Sequence, residues 1–109
     1  HLPLIPGERV LYKAFGYIWQ DEGIVKSWVP GIWNVTNERL ILWVKTPRKA
    51  IFETPLASLR VFRVPASHET RQDLELVYPD GRARISLSER DEFEEALARA
   101  TTDATAISV

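Results

Sequence analysis

Side chains that could act as acids, bases, nucleophiles or metal ligands are sparse in this sequence of 109 residues. There is no cysteine, and His68 is the only histidine away from the N-terminus. Side-chain catalysis needs a nucleophile with its base, or a cluster of ligands, and His68 has only the neighbouring Glu69 in a polar segment. The sequence therefore predicts no catalytic residue, no cofactor site and no metal site, and we do not expect an enzyme.

Cations are concentrated in one short proline-containing segment, at Lys45, Arg48 and Lys49. Such a segment can attract a phosphate or a carboxylate-bearing peptide at short range. Basic loops are more often ordinary solvated surface, because exposed charges contribute little by themselves. Both interpretations stay open, and these three residues are the predicted anion contacts. A second basic stripe, or simply a wet face, is formed on other predicted strands by Arg60, Arg63, Arg82 and Arg84.

All four tryptophans lie within one stretch of the chain, at Trp19, Trp28, Trp33 and Trp43. Tryptophan combines a large apolar area with a polar N–H group, so it suits both a core and a contact surface for a protein or a membrane interface. Trp33 and Trp43 lie in clear strand patterns and are expected in the core. Trp19 and Trp28 lie beside a turn, and we predict that they are the aromatic contact residues.

The composition favours one globular domain, with 45% hydrophobic and 27% charged residues. The net charge of −1 gives no overall field toward nucleic acid, so no nucleic-acid partner is expected. No apolar run approaches the roughly 18 residues of a membrane span. The absence of cysteine leaves the compartment open. We take the cytoplasm as the default location, with peripheral attachment to a membrane as the one variation.

Short β-like segments separated by turn signals occupy most of the chain, and Pro79-Asp80-Gly81 marks the clearest hairpin. After residue 87 the apolar period changes from two to that of a helix, at Phe93, Ala96, Leu97 and Ala100. Residues 88–100 are therefore predicted to form the one substantial helix. We expect a mainly β fold: a sandwich or half-open barrel of about seven antiparallel strands capped by this C-terminal α-helix.

The predicted domain covers residues 6–100. Residues 1–5 are expected to be a leading segment or the remnant of a tag, because the sequence starts at His1 without a methionine. Residues 101–109 are small and threonine-rich with no apolar stripe, and we expect a flexible tail there.

The order of several short motifs resembles that of GRAM domains and bacterial pleckstrin-homology-like domains. The matching segments, in chain order, are Pro6-Gly7-Glu8, Gly31 to Leu42 with its Val-Thr-Asn-Glu-Arg-Leu core, Pro55 to Leu59, and Asp80-Gly81 before the closing helix. This resemblance implies a binding or scaffolding role toward lipids, peptides or further copies of the chain. Lipid-binding members carry basic residues in the first hairpin loop, whereas this sequence has Asp21 and Glu22 there.

These observations predict a non-enzymatic interaction domain that binds a protein partner or its own copies through sheet edges and aromatic surfaces. The alternative is a peripheral membrane or lipid-binding module that uses Trp19 and Trp28 together with the basic loop.

Overall fold

The computed structural model of the chain describes residues 2–64 and 73–107, so His68 and Glu69 lie outside the described residues. The strands are β1 (Val10–Glu22), β2 (Val25–Thr36), β3 (Arg39–Lys45), β4 (Arg48–Pro55), β5 (Arg60–Arg63), β6 (Asp73–Tyr78) and β7 (Gly81–Leu87). A 3-10 turn spans Leu56–Ser58, and the helix α1 spans Arg90–Ile107. The predicted mainly β fold of about seven antiparallel strands and one C-terminal helix is confirmed.

The seven strands form one open antiparallel sheet in the order β4-β3-β2-β1-β7-β6-β5. Short reversals join β1 to β2, β2 to β3, β3 to β4 and β6 to β7. Each of these pairs is therefore an antiparallel hairpin. The two groups meet in a ladder of three residue pairs between β1 and β7, from Gly16 with Leu87 to Ile18 with Ile85. The sequence pattern predicted a sandwich or a half-open barrel, and this ladder joins all seven strands into one sheet.

The strand β2 continues through Pro30 and Gly31, although a Pro-Gly pair commonly interrupts a strand. Proline has no backbone N–H and is tolerated where a strand lacks a neighbour on one side. The β2–β3 ladder begins only at Ile32, so among the described residues Pro30 has a strand neighbour on the β1 side alone, opposite Tyr17.

The predicted basic loop is a tight hairpin. β3 ends at Lys45, β4 begins at Arg48, and these two residues are direct register partners. Only Thr46 and Pro47 form the reversal between them. Lys45, Arg48 and Lys49 are therefore held on paired strand ends, which fixes their spacing more firmly than an irregular loop would.

The helix α1 closes one side of the sheet with its apolar stripe. Phe93, Leu97 and Ala100 are buried, as the helical period predicted. Trp33 lies fully buried at the centre of the core, with its ring centroid 5.7 Å from that of Phe52 and 6.2 Å from that of Phe93. The helix continues to Ile107, beyond the end at residue 100 that the fading stripe indicated.

Gly16 permits the close approach of β1, β7 and the core tryptophan. A Cβ atom at this position would lie 2.5 Å from the Ser86 carbonyl oxygen and 2.8 Å from the Trp33 ring. Backbone on one side and an enclosed ring on the other leave no room for a larger residue. The junction between the two groups of strands therefore depends on a glycine at this point.

Candidate functional site

Alternation along β1 places two sets of side chains on opposite faces of the sheet. Ala14 and Ile18 face the core and are buried. The intervening side chains project from the outer face: Lys13, Phe15, Tyr17 and Trp19. Phe15 keeps 47% of its surface exposed although it is a large apolar residue.

The strand register aligns further aromatic and aliphatic side chains with this outer row. Phe15 is opposite Ile32 on β2, and Ile32 is opposite Trp43 on β3. Directly opposed residues in antiparallel strands project from the same face of the sheet. The result is a continuous surface, here called the aromatic face, that comprises Phe15, Tyr17, Trp19, Trp28, Ile32 and Trp43.

Trp19 and Trp28, the predicted aromatic contacts, are register partners near the tip of the β1–β2 hairpin. Both are half-buried, and their ring centroids are 5.3 Å apart. They extend the aromatic face toward the tip, where Ile24 is fully exposed and Val25 keeps 60% of its surface in solvent. Their contact with each other lowers the exposed area of each ring without removing either from the surface.

Two open depressions lie at the other end of the aromatic face. The first, here called the basic cleft, has a volume of about 630 Å³ and is lined by Leu2, Lys13, Ala14, Phe15, Ile32, Asn34, Trp43, Lys45 and Arg48. The second has a volume of about 620 Å³, shares Phe15, Ile32, Trp43 and Lys45 with the first, and extends to Pro47 and Lys49. Cavities of this size suit a few side chains of a partner.

The electrostatics of these depressions are one-sided. Neither is lined by an acidic side chain from the part of the chain that the structure describes. Lys13, Lys45, Arg48 and Lys49 form no ion pair with any described residue. The sites therefore combine apolar ring surfaces with cations whose charge is left for an external anion.

The structure brings the predicted basic residues together with aromatic residues that the sequence did not single out. Lys45 and Arg48 line the basic cleft and Lys49 lines its neighbour, whereas Trp19 and Trp28 line neither depression among the described residues.

The expectation that Trp43 is a core residue is wrong, because it is half-buried on the outer face. The apolar run Leu40–Val44 has no alternation, so no face could be assigned to it from the sequence.

Phe15 and Lys13 could have been found from the period of two along β1, which separates them from the buried Ala14. Their proximity to Trp43 could not, because it depends on the register of β2 against both neighbours.

Two of the four arginines in the other predicted basic stripe are neutralised within the chain. Arg63 on β5 forms ion pairs with Asp91 and Glu94 of α1, at 3.2 Å and 2.7 Å. Arg82 on β7 lies 2.9 Å from Glu75 on β6. Two of its members thus have acidic partners, unlike the cations of the basic cleft.

A buried carboxylate offers a second place where chemistry could be sought. Glu8 accepts hydrogen bonds from the Arg39 guanidinium on both oxygens, at 2.8 Å each, and from the Thr36 hydroxyl at 2.7 Å. The Ile5 backbone N–H donates to the same carboxylate at 3.1 Å. The hydrogen bonds from Arg39 lower the pKa of Glu8 to about 2, against the opposing effect of burial. An acid so fully engaged stays ionised and neither gives nor takes a proton near neutrality, so this network has a structural role.

Among the side chains that the structure describes, within residues 2–64 and 73–102, no group of three histidine, aspartate or glutamate residues is placed to hold a metal ion. No helix within residues 2–64 and 73–107 is long and apolar enough to cross a membrane.

No protein-family model and no curated protein matches the chain in sequence. Solved structures resemble it in fold at low sequence identity. The C-terminal domain of an unknown protein from Leishmania infantum is 17% identical, with a TM-score of 0.66 over 88% of this chain and 86% of that chain. The pleckstrin homology domain of ArhGAP27 is 15% identical, with a TM-score of 0.60 over 86% and 98%.

The pleckstrin homology domain of the human pleckstrin homology domain-containing protein family A member 5 is 16% identical, with a TM-score of 0.61 over 95% of this chain and 83% of that chain. Identities this low establish a likeness of fold alone. The chain therefore has the pleckstrin-homology-like fold that its motifs resemble.

Proposed function

We propose that this domain is a non-catalytic interaction module that binds a protein partner through its aromatic face. The observation that carries the proposal is the row Phe15, Ile32 and Trp43, which is exposed or half-buried on a sheet face. Cations that form no ion pair with any described residue flank this row. Exposed aromatic surfaces rimmed by polar groups are typical of protein interaction sites, where tryptophan and tyrosine supply much of the binding energy.

The side chains of this face suit recognition. Aromatic rings and aliphatic groups supply contact area, and lysine and arginine supply charge-assisted hydrogen bonds. The fold supports the proposal as a prior, since pleckstrin-homology-like domains serve as binding modules for proteins or lipids. A fold by itself does not assign a ligand, whereas the aromatic face offers a specific contact surface.

The proposal is tested by affinity capture from cells that express the protein, with quantitative mass spectrometry. The double variant Phe15→Ser, Trp43→Ser removes the row, and Arg60→Ser on the exposed edge strand β5 is the matched control. We expect a set of proteins that is retained by the wild type and by the control and is lost by the double variant. Circular dichroism of all three proteins establishes that the fold is intact. Equal capture by the double variant would refute the role of the aromatic face.

Self-association is tested on the same proteins by analytical ultracentrifugation. If a second copy is the partner, the wild type and the Arg60→Ser control sediment as a dimer and the double variant as a monomer. A wild type that sediments as a monomer excludes a second copy as the partner.

A second candidate function is peripheral binding to a membrane, which is favoured by the tip of the β1–β2 hairpin. Ile24 is fully exposed at the tip and Val25 largely so, and the Trp19–Trp28 pair lies three register positions from the end of the hairpin. Apolar and tryptophan side chains at a protruding tip can enter the lipid interface. Co-sedimentation with phosphatidylcholine and phosphatidylserine vesicles should then be abolished by Ile24→Ser, Trp28→Ser. Vesicles that fail to pellet the wild type would exclude this function.

We also propose that the domain is of the GRAM type. The first two motifs of that resemblance are far apart in sequence and meet in the structure. Glu8 of the first motif binds Thr36 and Arg39 of the second, and the Asn37 side chain both accepts from the Arg9 N–H and donates to the Gly7 carbonyl. One interaction network therefore accounts for the residue types at these positions.

A further inference from the structure

A like-charge pair stands at the rim of the basic cleft. Lys45 and Arg48 are direct register partners on β3 and β4, and both line the cleft. Like charges directly opposite each other across two strands destabilise a sheet. The cost is offset when an acidic group lies between them, and none of the described residues supplies one. The hairpin thus holds two cations in an arrangement that an external anion would stabilise.

The floor of the same cleft is apolar. Ile32 lies between Phe15 and Trp43, and the Phe15 ring is supported by an edge contact with Tyr17 at 5.3 Å between centroids. A half-buried indole and a supported phenyl ring form a surface that loses little conformational freedom when a ligand binds. One large apolar side chain of a partner would cover this floor.

The third cation, Lys13, lies on the opposite side of the floor. Lys13 on β1 is opposite Asn34 on β2, which is opposite Ile41 on β3. Lys45 follows Ile41 by four positions on β3, so Lys13 and Lys45 are two strands and four residues apart. Strand spacing of about 4.8 Å and a rise of about 3.3 Å per residue place the two backbones about 16 Å apart. A single anionic group could not contact both cations at this separation. Two anionic groups, one on each side of an apolar anchor, could.

We propose that the basic cleft binds an extended acidic segment of a partner protein, with an apolar anchor side chain on Phe15 and Trp43 and acidic side chains at Lys13 and at the Lys45–Arg48 pair. In an extended segment, side chains two and four positions apart share one face, and four positions span about 13 Å. The recognised pattern is an acidic residue, an apolar residue two positions later, and a second acidic residue two positions after that. This inference rests on the proposed function and specifies the chemistry of the partner.

The location of the charges favours a peptide segment over an anionic membrane. The cations surround a recess on the sheet face, whereas the protruding hairpin tip carries Asp21 and Glu22. Lys26, also near the tip, is 3.9 Å from the Asp21 carboxylate. A flat anionic surface would meet the acidic tip before it reached the recess.

The first experiment selects binders from a random peptide library displayed on phage, with the purified protein as bait. We expect enrichment of peptides with two acidic residues that flank an aromatic or large aliphatic residue at the spacing given above. Selection of peptides without acidic enrichment, or of none, overturns the inference.

The second experiment measures the affinity of the selected consensus peptide, labelled with fluorescein, by fluorescence polarisation. Lys45→Glu and Arg48→Glu should each weaken binding about tenfold or more, because a charge-assisted contact becomes repulsive. Arg60→Glu, on the exposed edge strand, should leave the affinity unchanged. A peptide with lysines in place of its acidic residues should bind the Lys45→Glu, Arg48→Glu double variant better than the wild type. This exchange of preference cannot result from unfolding, and its absence would contradict the proposed contacts.

Failure of this inference is distinguishable from failure of the proposed function. Protein capture that depends on Phe15 and Trp43, without a preference for acidic peptides, leaves the aromatic face as a docking surface and removes the acidic partner. Capture that ignores Phe15 and Trp43 removes both. Binding to vesicles that contain phosphatidylserine is measured as a further experiment. If Arg48→Glu abolishes vesicle binding while no acidic peptide is selected, the cations serve a membrane and the inference is overturned.

Discussion

At the scale of single residues, the Glu8 carboxylate needs hydrogen-bond donors from the protein, because water does not reach it. Its side chain is fully buried, and a buried charge is tolerated only when its oxygens are occupied by donors. Arg39 supplies a bidentate contact, and Thr36 and the Ile5 backbone N–H supply the remaining hydrogen bonds. The carboxylate thereby fastens the segment before β1 to the turn between β2 and β3.

This network predicts a loss of stability in acid. The folded-state pKa of Glu8, about 2, lies below its ordinary value of 4.5. The ionised Glu8 carboxylate therefore stabilises the folded state fully above pH 4.5, and this stabilisation declines as the pH falls toward 2. A shift of this size corresponds to at most about 3 kcal/mol in the free energy of unfolding, because solvent screens part of the interaction. We expect the Glu8→Gln variant to be less stable than the wild type at pH 7, with a difference that shrinks steadily in acid.

Urea denaturation at neutral pH and at two acidic pH values measures this difference. Glu53→Gln is the control, because Glu53 also pairs with Arg39 while 52% of its side chain is exposed. It should have a much smaller effect at every pH. Parallel pH profiles for the wild type and Glu8→Gln would show that Glu8 is not the titrating group.

At the scale of elements, the helix α1 is held mainly by its buried stripe. Phe93 has no exposed surface and contacts the Trp33 ring, so Phe93→Ala removes a large apolar contact and leaves a cavity. We expect this change to lower the free energy of unfolding by about 3–5 kcal/mol. Thermal denaturation followed by circular dichroism measures the effect.

The matched control is Arg63→Ala, which removes the ion pairs between β5 and α1 and leaves the stripe in place. Those pairs are exposed to solvent, so only a small change is expected. A Phe93→Ala protein with an unchanged melting temperature would show that the helix is not docked through this residue.

Most elements could be predicted from the sequence because their signals are local. The turn residues Asp80 and Gly81 and the alternation of Ala83, Ile85 and Leu87 define the last hairpin without reference to any distant residue. The continuity of β2 through Pro30 could not be predicted in the same way. It depends on which side of that strand lacks a neighbour, which is a property of the assembled sheet.

The candidate site illustrates the same limit. The basic residues Lys45, Arg48 and Lys49 were identified because they are close in sequence. Phe15 and Trp43 are far apart in the sequence, and the sequence does not connect them. Their alignment on one face depends on the register of β1, β2 and β3 together. A continuous apolar run such as Leu40–Val44 gives no information about which residue faces outward.

At the scale of the whole molecule, a net charge of −1 conceals a separation of charge. One end of the outer face carries the four cations of the two depressions, which form no ion pair with any described residue: Lys13, Lys45, Arg48 and Lys49. Acidic residues are concentrated on the helix α1 and at the hairpin tip. A local positive field of this kind accelerates the approach of an acidic partner and weakens as salt screens it over about 8–10 Å at physiological ionic strength.

We therefore expect the association rate constant for the consensus acidic peptide to fall as salt is raised, while the dissociation rate constant changes less. Stopped-flow fluorescence at several salt concentrations measures both. Arg48→Glu should flatten the salt dependence of association, and Arg60→Glu should preserve it. An association rate independent of salt in the wild type would show that the cations do not steer binding.

The narrow ladder between β1 and β7 has a consequence for the order in which the chain folds. The hairpins β1–β2, β3–β4 and β6–β7 each close a short loop, whereas the pairing of Gly16 with Leu87 joins residues that are about 70 positions apart. Bringing distant segments together costs loop-closure entropy before any contact repays it. The hairpins should therefore form early and the junction late, so that substitutions at the junction accelerate unfolding while refolding keeps nearly its original rate.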